Sequence, residues 1–187
     1  MKKISLTIIA FVTVCSVMEA QDKYYTKTGK IFFECTKSPI EKIEATNKSG
    51  TCVLDVKTGR LQFGVLMKGF EFQRALMQEH FNENYVESSK FPKSDFKGEI
   101  SNNNEINYTK DGEYIAKVKG KLQLHGKTHD IDAIGKIIIK QGRVTANARF
   151  AILLSDYNIR IPSLVSDKLS NSVNIIIDCN LEPFKDQ

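Results

Sequence analysis

The sequence predicts an all-β domain with one short helix, because apolar residues alternate with polar ones at period two along five long stretches. Such alternation is typical of antiparallel strands with one buried face and one solvated face. The positions predicted to face inward carry no charge. They are Leu61, Phe63, Val65, Met67 and Gly69; Tyr114, Ala116, Val118, Gly120, Leu122 and Leu124; Ile131, Ala133, Gly135, Ile137 and Ile139; Val144, Ala146, Ala148, Phe150, Ile152 and Leu154; Val173, Ile175, Ile177, Cys179 and Leu181.

Three shorter patterns and a set of glycine turns complete the predicted strands. The shorter patterns cover residues 30–35, residues 40–45 with 52–56, and residues 94–100, which gives about eight strands. Turns that contain glycine are expected at residues 57–59, 110–112, 125–127 and 141–142, as hairpins require. Eight long antiparallel strands either close into a barrel or divide into a sandwich.

Two stretches depart from the strand pattern. Residues 72–84 have apolar side chains at helical spacing and contain neither glycine nor proline, so they predict a helix of about three turns. Residues 155–170 form a long crossover that contains Pro162. Neither stretch resembles a linker, and we predict one domain over residues 21–187.

Residues 1–20 have the order of a secretory signal peptide. Lys2 and Lys3 precede an uncharged apolar run over residues 4–17, and Ala20 is a small residue where a signal peptidase would cut. The run is too short for a membrane-spanning helix, which needs about 20 residues. We therefore expect export to the periplasm or the cell exterior.

Charge and cysteine usage exclude several classes of protein. The chain has 27 basic and 22 acidic residues, and they are interspersed, whereas a nucleic-acid-binding face concentrates its basic residues. After the signal no segment is long and apolar enough to span a membrane. Three cysteines remain, Cys35, Cys52 and Cys179, without the spacing of a zinc site.

Three short segments resemble the YceI-like proteins, the polyisoprenoid-binding family. Residues 122–128 (LQLHGKT) resemble the strand–turn motif LxLHGxT, residues 91–96 (FPKSDF) resemble YPxxxF, and residues 155–159 (SDYNI) resemble an SDFGI-like stretch. Their order and spacing agree with the family over about residues 24–184. The resemblance implies an eight-stranded antiparallel, lipocalin-like β-barrel with a long isoprenoid or similar apolar chain threaded through its interior.

The resemblance also bears on polar residues and on the cysteines. Arg74 lies near the family's basic residue in an RDxHL-like segment, which reads RALMQEHF here and includes His80. The acidic residue that follows the arginine in the family is Ala75 in this chain. In a closed barrel the first and last strands are neighbours, so Cys35 and Cys179 could form a disulfide or pack as free thiols.

Candidate ligand-binding residues come from the Phe- and Met-rich stretch and from inward positions of the strands. Phenylalanine and methionine bury large areas without demanding hydrogen bonds, which suits a flexible apolar chain. Small inward residues such as Ala116 and Ala148 leave either room for a ligand or space that neighbouring side chains fill. The candidates are Phe63, Val65, Met67, Phe70, Phe72, Leu76, Met77, Phe81, Phe91, Phe96, Ala116, Val118, Leu122, Ala148, Phe150 and Ile152.

Catalytic and metal sites are not indicated. His125 and His129 flank a predicted hairpin turn without a third ligand, and a histidine held by the turn is the better interpretation. No GxSxG motif is present, and Glu79 and Glu83 fit a solvated helix face. We expect a lipid carrier without catalytic residues, cofactor or metal, which could form homo-oligomers. An envelope interaction module with a filled core is the alternative, and an enzyme acting on a lipid inside the barrel is a weaker one.

Overall fold

The structure, a computed structural model, describes residues 22–37 and 42–184 and forms a closed barrel. Its strands are β1 (Lys23–Thr36), β2 (Glu44–Asp55), β3 (Arg60–Leu66), β4 (Lys93–Ile100), β5 (Gly112–Leu124), β6 (Lys127–Lys140), β7 (Arg143–Leu153) and β8 (Leu169–Pro183). Consecutive strands pair antiparallel, and β1 also pairs with β8. The predicted fold class is confirmed, and closure decides between the barrel and the sandwich.

Two hairpins turn within two residues that both have positive φ. His125 and Gly126 join β5 to β6 with φ angles of 49° and 72°, and Gln141 and Gly142 join β6 to β7 with 52° and 74°. A turn of this kind matches the right-handed twist of the paired strands and requires positive φ at both positions. Glycine supplies the second position of each turn at no steric cost, as the sequence pattern indicates.

The predicted helix is present but begins later and changes type. An α-helix, α1, spans Ala75–His80 and continues as a π-helical turn over Phe81–Tyr85. Residues before Ala75 are extended because Glu71 exchanges backbone hydrogen bonds of 2.9 and 3.2 Å with Thr46 of β2. A helix this short is not stable by itself, so the barrel must hold it in place.

The pattern at residues 40–45 with 52–56 corresponds to one strand, β2, which runs unbroken from Glu44 to Asp55. The polar stretch between them, which the sequence pattern left outside the strands, is held by the buried Asn47. Its amide donates to the Leu66 carbonyl over 3.0 Å, and its side-chain oxygen accepts hydrogen bonds of 2.8 Å from the backbone N–H and the hydroxyl of Ser49. These bonds satisfy a polar side chain inside the barrel wall.

The two ends of the barrel differ. The loops at residues 67–92, 125–126 and 154–168 gather at one end, which we call the mouth end. At the opposite end, the closed end, four inward side chains with at most 3% of their surface exposed fill the interior: Leu54, Ile139, Val144 and Leu181.

Within the part of the chain that the structure describes, no helix has the length and apolar character needed to cross a membrane. The predicted signal peptide lies outside the described residues.

Candidate ligand cavity

An apolar cavity of about 370 Å³ occupies the barrel between the mouth end and the closed end. All eight strands contribute side chains to its wall, and α1 and the π-helical turn contribute Met77 and Phe81. Its volume lies at the lower end of the range of about 300–1,000 Å³ that is typical of ligand pockets. The side chains of His80 and Lys168, both exposed, also line it, so the cavity reaches the surface at the mouth end.

Four phenylalanines form an aromatic cluster below the helix. Phe33 of β1 stacks on Phe81 with ring centroids 5.5 Å apart, and it meets Phe70 and Phe72 edge to face at 5.3 and 5.8 Å. Such pairs contribute about 0.5–1.5 kcal/mol each beyond the area that they bury. This aromatic cluster fastens the short helical segment to the barrel and forms the wall of the cavity at the mouth end.

The cavity wall is almost entirely apolar. Apart from three cysteines, its polar residues are His80, Tyr85, Ser94, Lys136, Asn147 and Lys168, and no carboxylate lines it among the described residues. Ser94 is already engaged, because its hydroxyl donates to the Gln123 carbonyl over 2.8 Å. His80 shares a hydrogen bond of 3.1 Å between its Nδ1 and the Asn84 amide. A wall of this kind is suited to bury hydrocarbon.

Most candidate residues from the sequence lie on this wall. Leu76 and Phe91 do not: Leu76 is 60% exposed on the outer face of α1, and Phe91 packs its ring on His125 with centroids 4.6 Å apart. The fourteen others line the cavity: Phe63, Val65, Met67, Phe70, Phe72, Met77, Phe81, Phe96, Ala116, Val118, Leu122, Ala148, Phe150 and Ile152.

The sequence pattern missed part of the mouth. Phe33 belongs to a predicted strand, and its alternation with Ile31 and Cys35 was the signal that could have placed it inside. Ile159 and Leu169 line the cavity from the crossover and the start of β8. No periodicity marks these last two residues, because one lies outside any strand and the other precedes the regular alternation of β8.

His125 connects three segments at the mouth end. Its Nδ1 lies 2.8 Å from the Tyr157 carbonyl oxygen of the crossover, and its Nε2 lies 2.7 Å from a carboxylate oxygen of Glu87, after the helical segment. This hydrogen bond is the main cause of a lowered pKa at Glu87. Both partners are acceptors, so both bonds form only when both ring nitrogens carry hydrogen. His125 is thus held by the crossover and by Glu87, whereas the sequence interpretation had it held by its own turn. Within the described residues no cluster of metal-ligating side chains is found.

The three cysteines of the described chain are free and buried, in two different places. Cys179 lies with Cys52 among the residues toward the closed end, whereas Cys35 belongs to the apolar group at the mouth end. Cys35 and Cys179 therefore form neither the disulfide nor the packed pair of thiols that closure suggested. Each lies toward the C-terminal end of its strand, and because β1 and β8 run antiparallel, the two residues lie toward opposite ends of the barrel. The Cys35 thiol donates instead to the Ile43 carbonyl over 3.7 Å.

The burial of the Cys35 thiol predicts that the protein loses stability at alkaline pH. This burial raises the pKa of Cys35 from 9.0 to about 12, with a smaller contribution from Glu34. The unfolded chain therefore loses its thiol proton first as the pH rises. The contribution of the Cys35 thiol to the free energy of unfolding is fully present below about pH 9. It declines toward pH 12 by about 1.4 kcal/mol per pH unit.

Urea unfolding of the wild type and of Cys35→Ala across this pH range tests the assignment. The free energy of unfolding of the variant should fall less steeply with pH by about 1.4 kcal/mol per unit for the missing thiol. Equal slopes in the two proteins would show that Cys35 titrates normally in the folded state.

Geometry places this chain among closed antiparallel β-barrels that enclose an apolar cavity. The family model of the YceI-like domain matches residues 24–181, and the chain belongs to that family. This confirms the resemblance that the three sequence motifs indicated. No curated protein matches the sequence.

Solved structures of low sequence identity share the fold. One is a polyisoprenoid binding domain from Saccharophagus degradans implicated in plant cell wall breakdown, with 12% identity, a TM-score of 0.75, and coverage of 88% of this chain and 100% of that one. Burkholderia cenocepacia BcnA has 15% identity, a TM-score of 0.67, and coverage of 82% and 96%. A Campylobacter jejuni YceI protein has 15% identity, a TM-score of 0.50, and covers both chains fully.

Proposed function

We propose that this protein is an exported lipid-binding protein that holds an isoprenoid or similar long apolar chain in its barrel. The observation that carries the proposal is the apolar cavity of about 370 Å³ that reaches the surface beside α1. Each methylene group moved from water into it contributes about 0.8 kcal/mol. The S. degradans relative, described as polyisoprenoid binding, supports the same class of ligand.

The cavity favours a carrier over the alternatives. An interaction module would fill its interior with side chains, as this barrel does only at the closed end. An enzyme acting on the lipid would place an acid, a base or a nucleophile beside it. Two thiols on the wall are held as neutral groups, since burial raises the pKa of Cys35 and a hydrogen bond to Cys179 together with burial raises that of Cys52. Carriage, storage or sequestration is the proposed role, in the periplasm or outside the cell.

The binding of prenyl and acyl compounds of known structure tests the proposal. Delipidated protein should bind a fluorescent polyene fatty acid and change its fluorescence. Geranylgeraniol should displace this probe at stoichiometric amounts. Saturable displacement supports the carrier. Failure of every prenyl and acyl chain to bind would contradict it.

A further inference from the structure

The apolar interior is divided in two by a layer of aromatic rings. One group of buried residues lies toward the mouth end and another toward the closed end, and within residues 22–37 and 42–184 three partly buried side chains pack against both: Phe63, Phe96 and Ile177. The cavity runs through both groups, from Phe70 at the mouth end to Ala116 and Cys179 beyond the layer. We call its two parts the mouth chamber and the inner chamber.

The ring of Phe63 packs over two glycines. A Cβ placed on Gly50 of β2 would lie 2.7 Å from the Phe63 Cζ, and one placed on Gly29 of β1 would lie 3.4 Å from its Cε2. A side chain at Gly50 would displace the ring, and one at Gly29 would be in contact with it. The glycines therefore let the ring lie along the wall formed by β1 and β2.

The ring of Phe96 packs over two glycines in the same way, on β4 and β5. A Cβ on Gly98 of β4 would lie 2.7 Å from the Phe96 Cζ, and one on Gly120 of β5 would lie 2.6 Å from it. Phe63 and Phe96 are directly paired across β3 and β4, so one ring extends over β1 and β2 and the other over β4 and β5. Together they form a layer across about half of the barrel wall, which we call the waist.

The wall of β6 and β7 has small side chains instead. The residues that these strands present to the cavity include Ala133, Gly135, Ala146 and Ala148. Because these residues line the same cavity as the two rings, an apolar chain that passes from the mouth chamber to the inner chamber has small side chains to lie against. Beyond the inner chamber the closed end blocks further passage.

We propose that Phe63 and Phe96 are specificity-determining residues that set the length and thickness of the apolar chain the protein accepts. This inference rests on the proposed function. A short chain occupies the mouth chamber alone. A longer chain threads the waist in single file beside the small residues of β6 and β7 and ends in the inner chamber.

Opposite substitutions at the passage test the proposal with a series of prenyl alcohols: geraniol, farnesol, geranylgeraniol and solanesol. Ala146→Leu fills part of the inner chamber, where Ala146 is paired with Cys179, so affinity for geranylgeraniol should fall by about tenfold, the loss expected from roughly two buried methylene groups, while affinity for geraniol changes little. Phe63→Leu and Phe96→Leu widen the waist, so they should raise the affinity for the longest bound chains relative to geraniol by about threefold or more. Leucine keeps the positions apolar and limits the loss of packing.

Phe150→Leu is the matched control, because Phe150 packs against the mouth-end group of the described residues and its truncation should affect all chain lengths alike. Circular dichroism and urea midpoints confirm that each variant is folded. If Ala146→Leu and the two waist variants leave the ranking of chain lengths as in the wild type, the waist does not select the chain. If the wild type binds none of the alcohols, the proposed function fails and the inference fails with it.

Discussion

Ala148→Phe is expected to abolish uptake of an apolar chain while the barrel remains folded. Ala148 lines the cavity from β7, where it is paired with Gly135 of β6 and Ile177 of β8. A phenylalanine at this position extends into the space that the ligand occupies. Because the displaced chain loses several buried methylene groups at about 0.8 kcal/mol each, affinity should fall by about a hundredfold or more.

The control for this variant lies three residues along the same strand. Ala151 is exposed on the outer face of β7, so Ala151→Phe adds the same side chain outside the cavity and should leave affinity unchanged. Displacement titration with a polyene probe compares the two variants. Equal affinity in Ala148→Phe and Ala151→Phe would place the ligand outside the barrel.

His125→Ala is expected to destabilise the protein by about 3 kcal/mol. The substitution leaves the Tyr157 carbonyl and the Glu87 carboxylate without their partner, and it removes the ring contact with Phe91. Losing a partner of a buried polar group costs about 1–3 kcal/mol, and an aromatic contact adds about 0.5–1.5 kcal/mol. The cost is mainly that of the Tyr157 carbonyl, because Glu87 is well solvated.

His129→Ala is the matched control, since this histidine lies on the same hairpin but is exposed, and its ring contacts Tyr157 at 5.1 Å. It should change the free energy of unfolding by less than about 1 kcal/mol. Urea unfolding at neutral pH measures both. A loss at His125→Ala no larger than that at His129→Ala would mean that the bonds around His125 do not hold the mouth end together.

Strand periodicity predicted the barrel wall well because each inward side chain repeats at every second residue. On β5 the pattern from Tyr114 to Leu124 is the pattern of burial in the structure. The turns at Gly126 and Gly142 were also predictable, since positive φ limits the choice of residue. These features depend on neighbours close in sequence.

Features that depend on distant contacts were not predictable in this way. Asn47 reads as a loop residue, yet it is buried in β2 because the Leu66 carbonyl and Ser49 satisfy its amide. Leu76 fits the apolar face of a helix, yet it is exposed because α1 and the π-helical turn face the cavity through Met77 and Phe81. The cavity also depends on contacts between distant strands. A small residue such as Ala146 leaves space only if no larger side chain from another strand fills it.

The most direct test of the central claim is native mass spectrometry of the protein purified from its own host, followed by organic extraction and lipid analysis. We expect a polypeptide that has lost its first 20 or so residues and carries one prenyl or acyl chain per barrel, released by extraction. A clean apo protein that also takes up no added isoprenoid would contradict the carrier function and favour an interaction module.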